Sequence, residues 1–202
     1  MAGLPEGVVR GEDGVTRCWW GSADPLYRRY HDREWGRPIK DDGRLFEKIC
    51  LEGFQSGLSW ITILRKRENF RKAFGNFEIE TVARFSAGKV EILMRDAGIV
   101  RNRAKILATI NNARRCLELI KDRRSLAAYA WSYEPQTTGA RVSAGPDAIA
   151  MSKDLKARGW AFVGPTTIHS FMQAVGIIND HLKGCEVREE VDRLRARFVR
   201  PG

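Results

Sequence analysis

Nowhere in the chain do apolar residues run for the roughly 18 positions that a membrane-spanning helix requires, so no stretch of it reads as such a helix. The first fifteen residues carry Gly, Pro and acids where a secretory signal would carry an apolar stretch, and on that ground we expect a cytoplasmic protein with no membrane partner. Cysteine is scarce, with four residues in 202. In a reducing compartment so few point to metal binding or plain burial rather than to a disulfide scaffold. Histidine is rarer still, with three. Sustained apolar–polar alternation is missing too, which argues against a half-buried sheet. There is no internal repeat and no low-complexity tract.

What the chain does contain is basic charge. The net charge is +10 and the isoelectric point is near 9.8, which calls for a polyanionic partner. Nucleic acid is the commonest such partner and an anionic membrane surface is its rival. With 43% hydrophobic and 30% charged residues, the composition is that of an ordinary globular protein. Its length allows one good-sized core or two small lobes sharing a cleft.

Helix signals recur along the whole sequence, so the expected fold class is all-α. Asp24 caps a helix that Pro25 opens, running through Tyr27 and Tyr30 to Trp35. Asp41 or Asp42 caps the next, with Leu45, Phe46, Ile49 and Cys50 on its apolar face. Gly53 and Gly57 bracket a loop, and Ser59 starts a helix to Phe70. Short helices are expected over 80–85 and 89–95, a tight hairpin over 96–100, and a strong helix over 102–120. Residues 132–146, rich in Ser, Pro, Gly and Thr, read as the longest loop. Helices resume over 147–158 and 166–182, and 187–199 reads as a solvated helix. Residues 1–16 form a flexible leader in this reading, 17–186 the main domain, and 187–202 a basic extension.

Three constellations carry chemistry. The first is metallic. Cys18 and His31 near one end, and His181 and Cys185 near the other, form two Cys/His pairs of the kind zinc prefers. A site joining all four would be closed, hence structural, and would clasp the termini together; alternatively the pairs are unrelated. Cys50 and Cys116 lie on apolar helical faces and read as buried and inert.

The second constellation binds phosphate. The 96–100 hairpin precedes a stretch from Arg101 to Arg124 with eight basic residues against two acids. Backbone N–H groups around Ala97, Gly98 and Ile99, with Arg101 and Arg103 beside them, would hold a phosphate at a helix N-terminus without reading sequence. The plain alternative is an αα-turn followed by a solvated basic helix. The third is a pocket. Four of the six tryptophans fall in the first sixty residues, and Glu52 sits between an apolar helix and a Gly-flanked loop. A carboxylate among tryptophan and tyrosine faces suits a flat cationic or hydrogen-donating ligand. A solvent-exposed Glu at a helix end is the competing reading.

The blocks R-C-W-W-G-x3-D-P-L-Y-x2-Y-H-D-x-E-W-G, L-F-E-K-I-C-L-E-G-F-Q-S-G-L-S-W-I-T-I-L-R-K-R-E-N-F, D-A-G-I-V-R-N-R-A-K-I and F-V-G-P-T-T-I-x-S-F-M-Q-A-x-G-I-I-N-D-H-x3-C make the chain resemble the 3-methyladenine DNA glycosylase I family. The match spans residues 17–185. The resemblance implies a zinc-containing helix-hairpin-helix glycosylase, with that element near 89–121. The implied enzyme is a monofunctional DNA-repair hydrolase that cuts the N-glycosidic bond of 3-methyladenine. It also implies one structural zinc on Cys18, His31, His181 and Cys185, and a base pocket of Trp20, Tyr27, Tyr30, Glu52 and Trp60. Glu52 is the implied catalytic carboxylate, and Gly57 and Leu58 the loop that wedges into DNA. The partners would be alkylated double-stranded DNA and the released 3-methyladenine, and the protein a monomer.

Two departures stand out. Residues 1–16 and those beyond Cys185 have no counterpart in the pattern, and Phe54 stands where the family often has Gln. Asp122, the only aspartate near the end of the hairpin helix, reads as a solvated helix end rather than as a base. The rival reading is a non-enzymatic zinc-clasped DNA-binding module, which would have no use for Glu52 among aromatics. Another is an RNA-binding protein stacking single strands on those rings.

Overall fold

The computed structural model describes residues 4–136 and 144–202. Ten α-helices dominate the described residues, and the all-α expectation holds. Polar caps start many of them: Asp24 accepts from the Leu26 and Tyr27 amides above α1 (Pro25–Arg33), and Asp41 from Arg44 above α2 (Asp42–Gln55). Removing such a cap costs about 1 kcal/mol. None of these helices is long and apolar enough to cross a membrane.

α2 is the axis of the molecule. Every residue from 45 to 54 on it is buried, because α3 (Trp60–Ala73), α6 (Arg103–Arg123), α7 (Leu126–Trp131) and α9 (Pro165–Ala174) pack around it. A helix covered on all sides carries its polar residues into the core with its apolar ones, so Lys48 and Glu52 are interior groups. α2 also runs on through Gly53, so Glu52 lies within the helix and not at its solvated end. The exposed-Glu reading is thereby excluded.

Around this axis, α4 (Ile79–Ala83) lies against α6, and α5 (Ala87–Arg95) leads into the hairpin before α6. α8 (Pro146–Ala157) packs on α9. Of the long loop expected over 132–146, residues 137–143 lie outside the described residues. α7 was not anticipated from the sequence. It is short, and its start is fixed from a distance: the Asp42 carboxylate accepts from the Leu126 and Ala127 amides at 3.1 and 2.8 Å.

The helix expected over 166–182 stops at Ala174. There the chain turns through Gly176 at φ +79°, and a Cβ at that position would come within 2.5 Å of the Arg37–Pro38 backbone. Only glycine fits both the angle and the approach. The following residues, 177–185, run without helix, which is how His181 and Cys185 reach the N-terminal segment.

Both termini differ from their sequence reading. Within the expected leader, β1 (Val8–Arg10) pairs antiparallel with β2 (Thr16–Cys18), Val8 opposite Cys18. Three-residue strands are too short to show a period of two, and so escaped the sequence. The hairpin is pinned by Arg17, which donates to both Asp13 and Asp32 at 2.8–3.0 Å. At the other end, α10 (Glu186–Arg197) exists as expected but is docked, with Val187, Val191 and Arg195 buried. Arg195 donates to the Gly176 carbonyl and to Glu134.

Candidate functional site

Cys18 ends β2, His31 lies on α1, and His181 and Cys185 flank the turn before α10. All four are buried, and their ligand atoms lie within 4.8 Å of one another. Cys185 Sγ is 3.6 Å from both His31 Nε2 and His181 Nδ1, and Cys18 Sγ is 3.9 Å from His181 Nδ1. Tetrahedral bonds of about 2.0–2.3 Å place neighbouring ligand atoms roughly 3.3–3.8 Å apart, so the cluster fits a four-coordinate metal.

The outer partners fit as well. His31 Nδ1 meets Asp32 Oδ1 at 2.8 Å, and the carboxylate is held in turn by Arg17. His181 Nε2 faces the Trp35 carbonyl at 3.3 Å, and the Leu182 amide donates to Cys18 Sγ at 3.3 Å. Such bonds fix the ring orientation of a metal-bound imidazole. The structure thus brings together the two pairs that spacing alone left unconnected.

The centre props up a cavity of about 360 Å³. Trp20 meets the His31 ring edge-on at 5.0 Å, and Trp35 meets His181 at 4.6 Å; both tryptophans line the cavity. Tyr27 and Tyr30 come from α1, Glu52 from α2 and Trp60 from the first turn of α3. All five residues assigned to the base pocket therefore share one cavity. Sequence reasoning missed Trp35, Gln173 and Asp180 on its walls, and Trp19, 64% exposed, which also lines it. Gln173 and Asp180 had no aromatic company to mark them. Gln173 Nε2 donates to Asp180 Oδ2 at 2.8 Å, which ties α9 to the non-helical return that follows it. Asp122 is not among these lining residues; it is exposed and ion-paired to Arg158 and Arg123.

Electrostatically the pocket is unusual. Burial pushes the Glu52 carboxyl up from 4.5 to about 8, against the pull of the Lys48 ammonium. Burial, and secondarily Glu52, also raises the phenols of Tyr27 and Tyr30, so both stay protonated donors. A deep acid among aromatic faces can accept from, and neutralise, a flat cation.

Beside the cavity, α2 ends in a tight turn. Gly57 has φ +78° and Leu58 is 41% exposed at the tip, ahead of Trp60. Gly57 thus permits the turn that lifts an apolar side chain into solvent. Lys105, one of the eight basic residues between Arg101 and Arg124, is buried. It donates to the Phe54 and Ser56 carbonyls at 2.9 and 2.5 Å, capping α2.

The hairpin between α5 and α6 forms as expected, and its details qualify the assigned roles. Ala97 and Arg101 are exposed. Ile99 is buried at 2% exposure, so only its backbone could face a ligand. The Gly98 amide is taken by Asp96 Oδ1 at 2.7 Å, and the Ile99 amide by the Asp96 carbonyl. Arg103 is paired with Glu91 at 2.7–2.8 Å. Gly98 is required by the close approach of Asn69 and Asp96, which a Cβ would meet at 2.9–3.1 Å. Of Arg101, Arg103 and Lys105, Arg101 is the cation left for a phosphate.

A sequence-family model described as methyladenine glycosylase matches residues 19–189. The DNA-3-methyladenine glycosylase 1 of Escherichia coli is 50% identical over 179 residues, 85% of this chain and 96% of that protein. The DNA-3-methyladenine glycosylase of Haemophilus influenzae is 41% identical, covering 85% of this chain and 97% of that one. Among solved structures, a 3-methyladenine DNA glycosylase I from Staphylococcus aureus, studied for its recognition of 3-methyladenine, superposes with a TM-score of 0.81. It is 37% identical, over 85% of this chain and 96% of that one. A 3-methyladenine DNA glycosylase I in complex with 3-methyladenine gives 0.80 at 37% identity, over 85% of this chain and 97% of that one.

Proposed function

Because this chain belongs to the methyladenine glycosylase family, we propose that its aromatic cavity is the site where an alkylated adenine is held and cut from DNA, with Glu52 as the recognising carboxylate. The enzyme is a DNA-repair glycosylase acting on 3-methyladenine. The observation that carries the site assignment is the burial of Glu52, as the inner acid of a cavity lined by Trp20, Tyr27, Tyr30 and Trp60.

The lesion rotates out of the duplex, a step that costs less for a poorly stacked damaged base, and Leu58 fills the gap. N3-methylation leaves the base positively charged, so its bond to C1′ is already weak. As that bond breaks, its electron pair passes to the base, which departs as neutral 3-methyladenine. Water adds to C1′ and gives its proton to solvent. No acid is needed to protonate the leaving group. Glu52 accepts a hydrogen bond from the base and opposes the positive charge on it, while Trp60 and Trp20 stack and Tyr30 binds the edge. Among the described residues that line the cavity there is no lysine to act as a nucleophile, in keeping with a monofunctional hydrolase.

Cys18, His31, His181 and Cys185 are the ligands of a structural zinc in this reading, supported by their spacing and their N/S donor set. The ion, when bound, would supply no chemistry; it holds the Trp20 and Trp35 walls. Ala97 and Arg101 contact phosphate, and the working protein is a cytoplasmic monomer on double-stranded DNA. Chromatography of bases released from methylated duplex by wild type and Glu52→Gln tests the assignment. We expect 3-methyladenine as product and a ten- to hundredfold slower release by the variant, as for a lost charge-assisted hydrogen bond. Full activity of that variant would refute the role of Glu52.

A further inference from the structure

Lys48 is a buried cation beside the pocket that the reading above leaves unused. It sits on α2 one helical turn before Glu52, and it is buried at 5% exposure. Its ammonium has no hydrogen-bond partner. Instead it lies 4.6 Å from the centre of the Tyr30 ring and 5.6 Å from that of Trp60. Its nearest carboxylate, on Glu34, is 4.0 Å away, and Glu34 is already held by both Arg67 nitrogens at 2.5 and 2.9 Å. A cation stripped of water and given no hydrogen bond costs several kcal/mol. Packing alone would have been satisfied by an apolar side chain of the same length.

We propose that Lys48 is a positioning residue for the base pocket: from behind Tyr30 and Trp60, its ammonium supplies the counter-charge that lets Glu52 ionise when the alkylated base arrives. This rests on the assignment of Glu52 made above. Residues four apart on a helix are neighbours on one face, and the medium between them is the protein interior, where a unit charge acts strongly.

The other charged and titratable groups do not replace it. On α1, the phenols of Tyr27 and Tyr30 stay protonated beside Glu52 and so carry no charge, and Glu34 is neutralised by Arg67 of α3. Glu47 on α2 is paired with Arg71 of α3. From α6, Lys105 is committed to the carbonyls at the end of α2, and Cys116 is a buried thiol facing Cys50. Beyond α9, Asp180 lines the same cavity, accepts from Gln173 and has His169 3.4 Å away; as an acid it supplies no counter-charge. α7 carries no charged residue. Lys48 is thus the cation placed to act, and burial, which depresses its own basicity to about 8, shows the cost of keeping it there.

The test is the pH profile of kcat/KM for base release from methylated duplex, which reports ionisations of the free enzyme. It is compared in wild type, Lys48→Met and Glu52→Gln. The Met side chain has similar length, so folding should be kept; circular dichroism, melting temperature and metal content check this. Wild type should gain activity as pH rises through the ionisation of Glu52. Lys48→Met should move that rise upward by about one pH unit, lowering kcat/KM about tenfold below the midpoint, with affinity for undamaged duplex unchanged. A profile unmoved in Lys48→Met but abolished in Glu52→Gln overturns the role of Lys48 alone. A Glu52→Gln enzyme with the wild-type profile would overturn the Glu52 assignment itself. Should Lys48→Met fail to fold, Lys48→Gln keeps a polar group in the site. The carboxyl 13C titration of Glu52 in that variant must then show the same upward shift, and no shift overturns the proposal.

Discussion

Glu52→Gln should make the protein more stable at pH 8 while making it a worse enzyme. The folded-state pKa of Glu52 is raised from 4.5 to about 8 by burial. Between those values the unfolded chain releases the proton and the folded chain retains it. Stability therefore falls as pH rises through this window, and levels off above pH 8. One unit of difference is worth about 1.4 kcal/mol, and the window from 4.5 to 8 spans 3.5 units, so the ceiling is about 5 kcal/mol. Water in the cavity mouth and relaxation of the pocket reduce this, and we expect about 2 kcal/mol at pH 8. For a chain of this length that is roughly 4–8 °C in Tm.

The neutral amide in the variant has no such window. The assay is denaturant unfolding of both proteins from pH 4.5 to 8, read as the difference between them. Protonation of the metal ligands is common to both and cancels. Lys48, whose depressed pKa adds stability with rising pH only above about 8, stays outside the range. A difference curve that is flat, or that favours wild type as pH rises, would mean that Glu52 is ionised and well paired in the folded state, and the reasoning would fail.

Cys185→Ser should lose metal and melting temperature together, as should chelation of wild type, because binding energy at a closed site is folding energy; metal analysis after gel filtration reads the first and calorimetry the second. Leu58→Ala should slow release from duplex about tenfold and leave affinity for free 3-methyladenine unchanged, since the tip is exposed outside the cavity; single-turnover kinetics against base titration separates the two. Ala97→Asp should weaken binding to all duplexes alike. It is a better probe than Gly98→Asp, whose Cβ would collide with Asn69 and Asp96, and unchanged affinity for undamaged DNA would remove the hairpin as a phosphate anchor.

Most helices were legible in the sequence because their signals are local. Asp24-Pro25, Asp41, Ser59 and Asn102 stand at or beside the observed starts of α1, α2, α3 and α6. What failed were elements fixed by distant partners. α7 is too short for a period and takes two of its hydrogen bonds from Asp42, more than eighty residues away. The β1–β2 hairpin depends on Arg17 reaching Asp32 on α1. α9 ends early because the turn at Gly176 lies against Arg37 and Pro38.

The sequence by itself determined the all-helical class, the cationic character and the residue types of both sites, since these follow from composition, caps and the resemblance of long blocks. Only the tertiary structure decided which residues meet. Cys18 and Cys185, 167 positions apart, are brought together by a hairpin and a non-helical return that no spacing rule describes. Lys105 belongs to the basic stretch over 101–124 yet caps α2, because exposure belongs to packing and not to residue type. Glu52 and Lys48 acquired their perturbed chemistry for the same reason. Their helix is surrounded on every side, and the free energy of a charge depends on how much water its neighbours leave it.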